Sequence, residues 1–333
     1  MDTAIVILNW NGEAMLKKYL PTLVERTKDD GAFIVIADNG STDGSLGWLE
    51  ANYPDIRTIE LDKNYGFTGG YNRALQEVDA DYYVLLNSDI EVSEGWLEPL
   101  TSFMEEHPEV GICQPKILSI AQRDSFEYAG AAGGFIDRYG YPFCRGRILS
   151  NLEKDHGQYD KPKECFWATG ACLVVRSSLY HHLGGLDESF FAHMEEIDFC
   201  WRAKLLGYQV WCVPQSKVWH VGGGTLPNNS PRKLYFNYRN NLLMLYKNLP
   251  ENIRGRRIVV RKCLDAASAA VYLLTGKWQF FKAVWSAHKD YRRMKKDVEP
   301  SPFEEERNNV GYYPHSIVLK FFLSGKKMTF NKL

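Results

Sequence analysis

The chain has 333 residues, 45% of them hydrophobic and 24% charged, with a formal net charge of −1. That make-up suits a globular protein with room for one large domain and an appendage. The near-neutral total hides an asymmetry: residues 1–225 carry 19 Lys and Arg against 33 Asp and Glu, whereas residues 226–333 carry 21 against 8. Such a basic second half points to an anionic partner, either a membrane surface or nucleic acid. No apolar run approaches the ~18 residues that a membrane span requires. The 7 cysteines have no C-x-x-C spacing and read as reduced, buried thiols of a cytosolic protein. Met1 leads directly into a strand, so no signal peptide is expected.

Thr3 to Leu8 reads as a buried strand ending at Asn9-Trp10-Asn11-Gly12, with a helix following to about Lys28. A second strand, Phe33 to Ala37, ends in Asp38-Asn39-Gly40-Ser41-Thr42-Asp43-Gly44. Ser41 or Thr42 can cap the next helix, which runs to about Tyr53. Ile56 to Leu61 is the third strand. A glycine-rich turn, Asn64-Tyr65-Gly66-Phe67-Thr68-Gly69-Gly70-Tyr71-Asn72-Arg73, then feeds a helix. The fourth strand is the unbroken apolar run Tyr82 to Leu86, closed by Asn87-Ser88-Asp89. This alternation predicts an α/β fold, a parallel sheet covered by helices on both faces.

In open α/β sheets, ligands gather at the carboxyl ends of the strands. Asp89 is placed there to hold a divalent cation, which in turn holds a diphosphate. The plainer reading makes Asn87-Ser88-Asp89 a turn and nothing more. Asp38 after a second strand also suits a dinucleotide-binding domain. That fold needs G-x-G-x-x-G after its first strand, and the residues after Leu8 do not supply it. The glycines after the third strand leave room for backbone N–H groups and a helix N-terminus to approach an anion.

The segments Leu8 to Gly12, Ala37 to Gly44, Asn64 to Leu75 and Leu85 to Asp89 resemble the nucleotide-sugar half of family 2 glycosyltransferases, inverting enzymes of the GT-A fold. The chain is particularly similar to the rhamnosyltransferase-like bacterial branch. The resemblance implies that Asp38 contacts the base, and that Asp89 binds the metal as the last acid of a D-x-D motif. Asn87 replaces the first acid of that motif, where an amide can still hydrogen-bond a ribose hydroxyl. Asn9, Asn11, Asn64, Gly66, Gly70, Asn72 and Ser88 join Asp38 and Asn87 as donor-binding candidates.

Gly111 to Leu118 reads as a strand, residues 121–163 as a loop or hairpin insertion without clear period, and Trp167 to Arg176 as a further strand. A helix over residues 194–206 puts Glu195 and Asp198 on one face, with Asp198 able to pair with Arg202 at i,i+4. Glu196 lies about 100° around from Glu195. Acidic residues at a helix start are also what the macrodipole favours without any catalytic role. The resemblance implies an E-D-x-D motif here whose second acid is the general base, a slot that Glu196 fills. Glu195 is the alternative base, and Asp198 completes the set of catalytic candidates. His220 ends a short strand that follows Val210 to Pro214, just before three glycines. A lone histidine is more often structural than a ligand, but the resemblance implies a metal- or phosphate-contacting role. Arg239, on the next helix, can neutralise a leaving diphosphate or serve as a solvated surface charge.

Past Pro250 the composition changes to basic and aromatic. Residues 249–333 read as a mostly helical extension of a 1–248 catalytic domain. The extension can lie on an anionic leaflet, or pack on the domain with a solvated basic face. No recognised nucleic-acid-binding motif accompanies the charge. The combined expectation is a glycosyltransferase using a divalent cation, Mn²⁺ or Mg²⁺. Its donor is a nucleotide-diphosphate sugar and its acceptor a glycan or lipid-linked sugar. It is expected in the cytoplasm, either free or peripheral on the membrane's inner face. The competing reading is a nucleotide-sugar-binding protein without transferase activity.

Overall fold

The computed structural model describes residues 2–28, 31–222, 230–300, 310–324 and 328–333. Its first part alternates strand and helix: β1 (Thr3–Asn9), α1 (Glu13–Glu25), β2 (Ala32–Asp38), α2 (Ser45–Asn52), β3 (Arg57–Glu60), α3 (Gly66–Leu75) and β4 (Tyr82–Leu86). These strands are parallel, in the order β3-β2-β1-β4. Every residue of β4 is buried, as expected for a strand with helices on both faces. Each large apolar side chain buried there contributes about 1.5–3 kcal/mol. The register of β1 against β2 sets Asn9 opposite Asp38, so the two strand-end loops meet.

Next come β5 (Ile90–Val92), α4 (Glu98–Glu106) and β6 (Val110–Ser119). A small antiparallel sheet follows, made of β7 (Gly134–Ile136), β8 (Pro142–Cys144), β9 (Arg147–Ile148) and β10 (Asn151–Leu152). It occupies the region expected to be a loop or hairpin. Strands of two or three residues are too short to print a period in the sequence. The main sheet is completed by β11 (Lys163–Cys165), β12 (Cys172–Arg176) and, after α5 (Ser177–His182) and α6 (Glu195–Leu205), β13 (Gln209–His220). Its order is β11-β13-β6-β12-β4-β1-β2-β3, with β5 paired to β13. β12 is antiparallel to β4 and β13 parallel to β6. The two short strands expected before His220 are one, with a register shift between Val213 and Lys217. Pro214 lies in that shift, where a missing N–H does least damage to the ladder.

The remaining helices are α7 (Pro231–Asn248), α8 (Glu251–Leu274), α9 (Trp278–Met294) and α10 (Ile317–Leu323). Ser230 caps α7 by accepting from the Lys233 N–H, and Pro231 takes the first helical position. The C-terminal elements pack on the body. Ile317, Phe321 and Met328 share a core with Phe143 and Ile148 of the small sheet. Arg261 and Asp265 of α8, both buried, pair at 2.7 Å, and Tyr141 donates to Asp265 at 3.2 Å. Six cysteines are buried as expected, but Cys263 is exposed. Among the described residues, no helix is long and apolar enough to cross a membrane.

Candidate active site

At the first two strand ends, Asn9 and Asp38 form one unit. The Asn9 amide donates to Asp38 (2.9 Å) and to Ser41 (3.2 Å), and Asp38 also accepts from the Ser41 N–H (2.8 Å). Asn11, in a left-handed conformation, accepts from the Thr42 N–H at 2.7 Å. Ser41 therefore ties the two loops together and does not cap α2. That helix begins at Ser45, whose N–H donates to Asp43. Asn9 Oδ1 is buried without a partner among the described residues. A buried amide oxygen left open at a strand end asks for a donor from a ligand or a water.

The glycine-rich turn departs from expectation. Gly66 has φ +74°, and a Cβ there would come within 2.7 Å of the Phe191 carbonyl oxygen. That same oxygen accepts from the Phe67 N–H at 2.9 Å. The start of α3 is thus occupied by the protein's own carbonyl and does not present free N–H groups to an anion. A Cβ at Gly70 would lie 2.7 Å from Leu8, so this glycine serves helix–strand packing. Asn72 accepts from the Leu186 N–H (2.9 Å) and Tyr180 hydroxyl (2.7 Å) and donates to the Leu186 carbonyl (2.7 Å). Its amide fixes the 184–188 loop. Asn64 is likewise internal, accepting from the Gly66 N–H at 2.7 Å.

Asp89 and His220 do meet. β5 runs antiparallel to β13 with Ile90 opposite His220, which puts the preceding residue, Asp89, beside the imidazole. Nε2 lies 3.1 Å from Asp89 Oδ1, and Nδ1 lies 3.7 Å from Glu127 Oε2. Burial works against protonation of His220, but the close Asp89 carboxylate and the charges of Asp89 and Glu127 outweigh it and push the imidazole up to about 10. Glu127 was not legible in the sequence, because it lies in the aperiodic region. Asn87 and Ser88 stay partly exposed beside Asp89. Gly223 and Gly224 lie outside the described residues.

Among the described residues, no group of three or more His, Cys, Asp or Glu side chains is arranged to hold a metal unaided. The donor set still fits a divalent cation that is also held by a ligand. Two ligands at right angles, each ~2.1 Å from the ion, stand about 3 Å apart, close to the observed Asp89–His220 spacing. A carboxylate behind the outer nitrogen of a ligating histidine fixes its tautomer and orientation, and Glu127 occupies that place.

The carboxylates of α6 divide into two environments. Asp198 is fully engaged by Arg202 (2.8 Å), Lys247 (3.1 Å) and Asn248 (2.7 Å). It pairs with Arg202 as expected, and these contacts make it an anchor of α6, not a catalytic group. Glu195 Oε2 and Glu196 Oε2 are buried with no partner among the described residues. Burial, then the neighbouring charge of Glu196, pushes Glu195 well above the carboxylate range. Glu196, whose bonds from nearby backbone N–H groups and proximity to Lys233 offset part of its burial, rises to about 7. Lys233 is held below its usual value by burial, while the charges of Glu127 and Glu196 act on it in the opposite sense. Lys233 therefore joins the Asp89–His220–Glu127 group to Glu196 in one electrostatic neighbourhood. His193 borders it, pushed down to about 4 by burial and by Lys233, with Nε2 buried and unpartnered among the described residues.

Arg239 does not face an open pocket. Its guanidinium donates to the carbonyls of Ser189 (3.1 Å) and Phe190 (2.9 Å) and to Asn240 (2.8 Å), so it holds the turn that leads into α6. A cleft of about 430 Å³ lies elsewhere, lined by Gly184, Asp187, Arg202, Lys247 and Glu299. Its cations are committed to Asp187 and Asp198.

The arrangement is that of a nucleotide-sugar enzyme of the GT-A fold. The sequence profile of "Glycosyl transferase family 2" matches residues 4–184, and the chain belongs to that family; it is a glycosyltransferase. The N-acetylglucosaminyl-diphospho-decaprenol L-rhamnosyltransferase of Mycobacterium tuberculosis is 26% identical over 234 residues, covering 65% of this chain and 75% of that protein. The dTDP-rhamnosyl transferase RfbF of Shigella flexneri is 24% identical over 258 residues, covering 73% and 79%. Two solved structures share the fold. GalNAc-T7 with UDP, GalNAc and Mn²⁺ superposes with a TM-score of 0.59 at 16% identity, covering 75% of this chain and 48% of that one. TarS 1–349 of S. aureus with UDP-GlcNAc gives 0.56 at 15%, covering 90% and 84%. Family membership disfavours both the non-catalytic binding protein and the dinucleotide-binding domain.

Proposed function

We propose that the protein transfers a sugar from a nucleoside-diphosphate donor to a hydroxyl of a glycan or lipid-linked glycan, with inversion, in cell-surface polysaccharide synthesis. One observation carries the assignment of the base. Of two adjacent buried carboxylates, Glu196 is tuned to about 7 and Glu195 lies well above its usual range. A base works best with a pKa near the operating pH, so Glu196 can ionise while Glu195 remains protonated. Glu196 accepts the proton of the acceptor hydroxyl as that oxygen attacks the anomeric carbon. The bond from that carbon to the diphosphate breaks with its electron pair leaving on the phosphate oxygen, so a single displacement inverts the centre. No enzyme nucleophile is needed.

Asp89 and His220 would hold a divalent cation, Mn²⁺ or Mg²⁺, which supplies Lewis-acid stabilisation of the departing diphosphate. Asn9, Asp38 and Asn11 frame the base end of the donor, and Asn87 and Ser88 the ribose. Residues 1–248 form the catalytic domain in this reading. Residues 249–333 form a basic extension toward an anionic membrane surface on the cytoplasmic side. Both relatives are named for rhamnosyl transfer, so dTDP-rhamnose is the first donor to test. Purified protein is incubated with a panel of nucleotide sugars, with and without Mn²⁺, and diphosphate release is measured. Metal-dependent release from at least one donor is expected. Tight donor binding without release under any condition would leave only the binding-protein reading.

A further inference from the structure

The α8–α9 hairpin carries an apolar, basic tip beside the N-terminal turn of α7, which borders Glu196 and Glu127. α8 runs antiparallel to α7: Arg254 reaches the Tyr246 carbonyl (3.4 Å), Arg261 bonds Asn241, and Tyr238 donates to Ser268 (2.8 Å). From Ser268 to Leu274, α8 climbs about 9 Å, and from Tyr238 back to Pro231, α7 climbs about 10 Å. The hairpin turn is therefore level with the N-terminus of α7. Lys233, in that first turn, feels the charges of Glu196 and Glu127.

Packing of α8 stops short of the tip, since its last buried residue is Asp265. Beyond it Val271 is 58% exposed, Leu274 87%, Trp278 51% and Trp285 69%. Between residues 266 and 289 the sequence contains no Asp or Glu, and its charged side chains are Lys277, Lys282 and Lys289. Exposed tryptophan and leucine interspersed with lysine is the make-up of an interfacial anchor on an anionic leaflet. A second copy of the chain is a poor occupant. A two-fold contact through this patch would set the three lysines against their own copies with no acid to offset them.

We propose that the α8–α9 tip inserts into the headgroup region of an anionic leaflet and holds the N-terminal end of α7, next to Glu196, close to it. A lipid-borne acceptor would then be presented to Glu196. The acceptor part rests on the transferase reading above, whereas the docking itself does not.

The test uses the full-length chain and a Leu274→Glu/Trp285→Glu variant, both substitutions being at exposed positions. Co-sedimentation is measured with phosphatidylcholine vesicles, with and without phosphatidylglycerol, alongside tryptophan emission. The wild type should sediment with the anionic vesicles and shift its emission to the blue. The variant should bind about tenfold more weakly or worse, with diphosphate release to a soluble acceptor unchanged. Equal binding by both proteins, or wild type left in the supernatant at low salt, overturns the proposal. So does a wild-type dimer in sedimentation velocity that the variant abolishes without any vesicle binding. Vesicle binding with no release from any nucleotide sugar would sink the transferase reading and leave the docking intact.

Discussion

The Asn240 side-chain amide donates to three carbonyls of one turn, those of Phe190 (3.0 Å), Ala192 (2.8 Å) and His193 (2.7 Å). Phe191, His193 and Met194 in that turn all have positive φ, a conformation costing on the order of 1–3 kcal/mol at each non-glycine residue. Asn240 and Arg239 hold the turn against that cost, and the turn fixes where α6 begins and so where Glu195 and Glu196 lie. Asn240→Ala removes the side-chain donor from the Ala192 and His193 carbonyls, while Phe190 keeps Arg239. Thermal unfolding is expected to report a loss of about 1–3 kcal/mol, with turnover falling beyond the folded fraction. An unchanged melting temperature and unchanged turnover would mean the turn holds itself.

The two α6 carboxylates are separable by substitution. Glu196→Gln should bind donor normally and lose roughly 10²–10⁴-fold in turnover, since the amide cannot take the proton. Glu195→Gln should retain most of the rate, because burial and the neighbouring charge of Glu196 favour the protonated form of that group. In the wild type, kcat/KM should rise with pH along a limb centred near 7, the value of Glu196. A Glu195→Gln variant that is dead beside an active Glu196→Gln would reverse the assignment.

Stability should respond to Glu196 in the opposite sense to activity. Burial raises its pKa from the ordinary carboxyl value of 4.5 to about 7, so between these values the native state binds more protons than the unfolded chain. Stability therefore falls as pH rises through that window. Glu196→Gln removes the burden and should stabilise the protein at pH 8 relative to wild type, by on the order of 2–3 kcal/mol. At pH 4 the two should melt together. A variant less stable than wild type at pH 8 would show that the carboxylate has a partner that the geometry misses.

The strand-and-helix frame was legible because its signals are local. β4 is an unbroken apolar run, and Asn9 and Asp38 sit where strand ends must. Asp89 and His220 were each legible as strand-end candidates. Their contact depends on the register of β5 on β13, which no single segment encodes. Asn72 and Arg239 misled because their chemistry suits a nucleotide equally well. Their actual partners, Leu186 and the Ser189–Phe190 carbonyls, are 114 and about 50 residues away in the chain. Glu127 and Lys233 had no local signal at all, one lying in the irregular segment between β6 and β7 and the other in the first turn of a helix.

The Asp89–His220–Glu127 group can be tested by graded substitution. Asp89→Ala should abolish the Mn²⁺-dependent part of donor binding, since it removes the carboxylate that lies against His220. Glu127→Gln leaves both ligands in place but weakens the support behind His220, and should cost roughly 10–100-fold in apparent metal affinity. Isothermal titration of Mn²⁺ in the presence of nucleoside diphosphate reads both. Full Mn²⁺-dependent binding by Asp89→Ala would remove the metal assignment, and wild-type affinity in Glu127→Gln would confine Glu127 to packing.

Asp198 belongs to the scaffold, and its removal should leave a different signature from that of Glu196. Its carboxylate is completely buried and is the meeting point of Arg202, Lys247 and Asn248. Lys247 keeps Asp187 as a second partner, whereas Arg202 keeps the uncharged carbonyls of Leu183 (2.8 Å) and Gly185 (2.9 Å). Asp198→Ala therefore strands positive charge in a poorly solvated place, a change that costs about 3–5 kcal/mol when one member of a buried pair is deleted. Asp198→Asn restores an acceptor without the charge and should recover part of that loss. Both variants should melt earlier than wild type. Assayed at low temperature, where they remain folded, both should turn over within about tenfold of it, far from the loss set for a general base. An Asp198→Asn protein that melts like wild type but has lost its turnover would return this carboxylate to the chemistry.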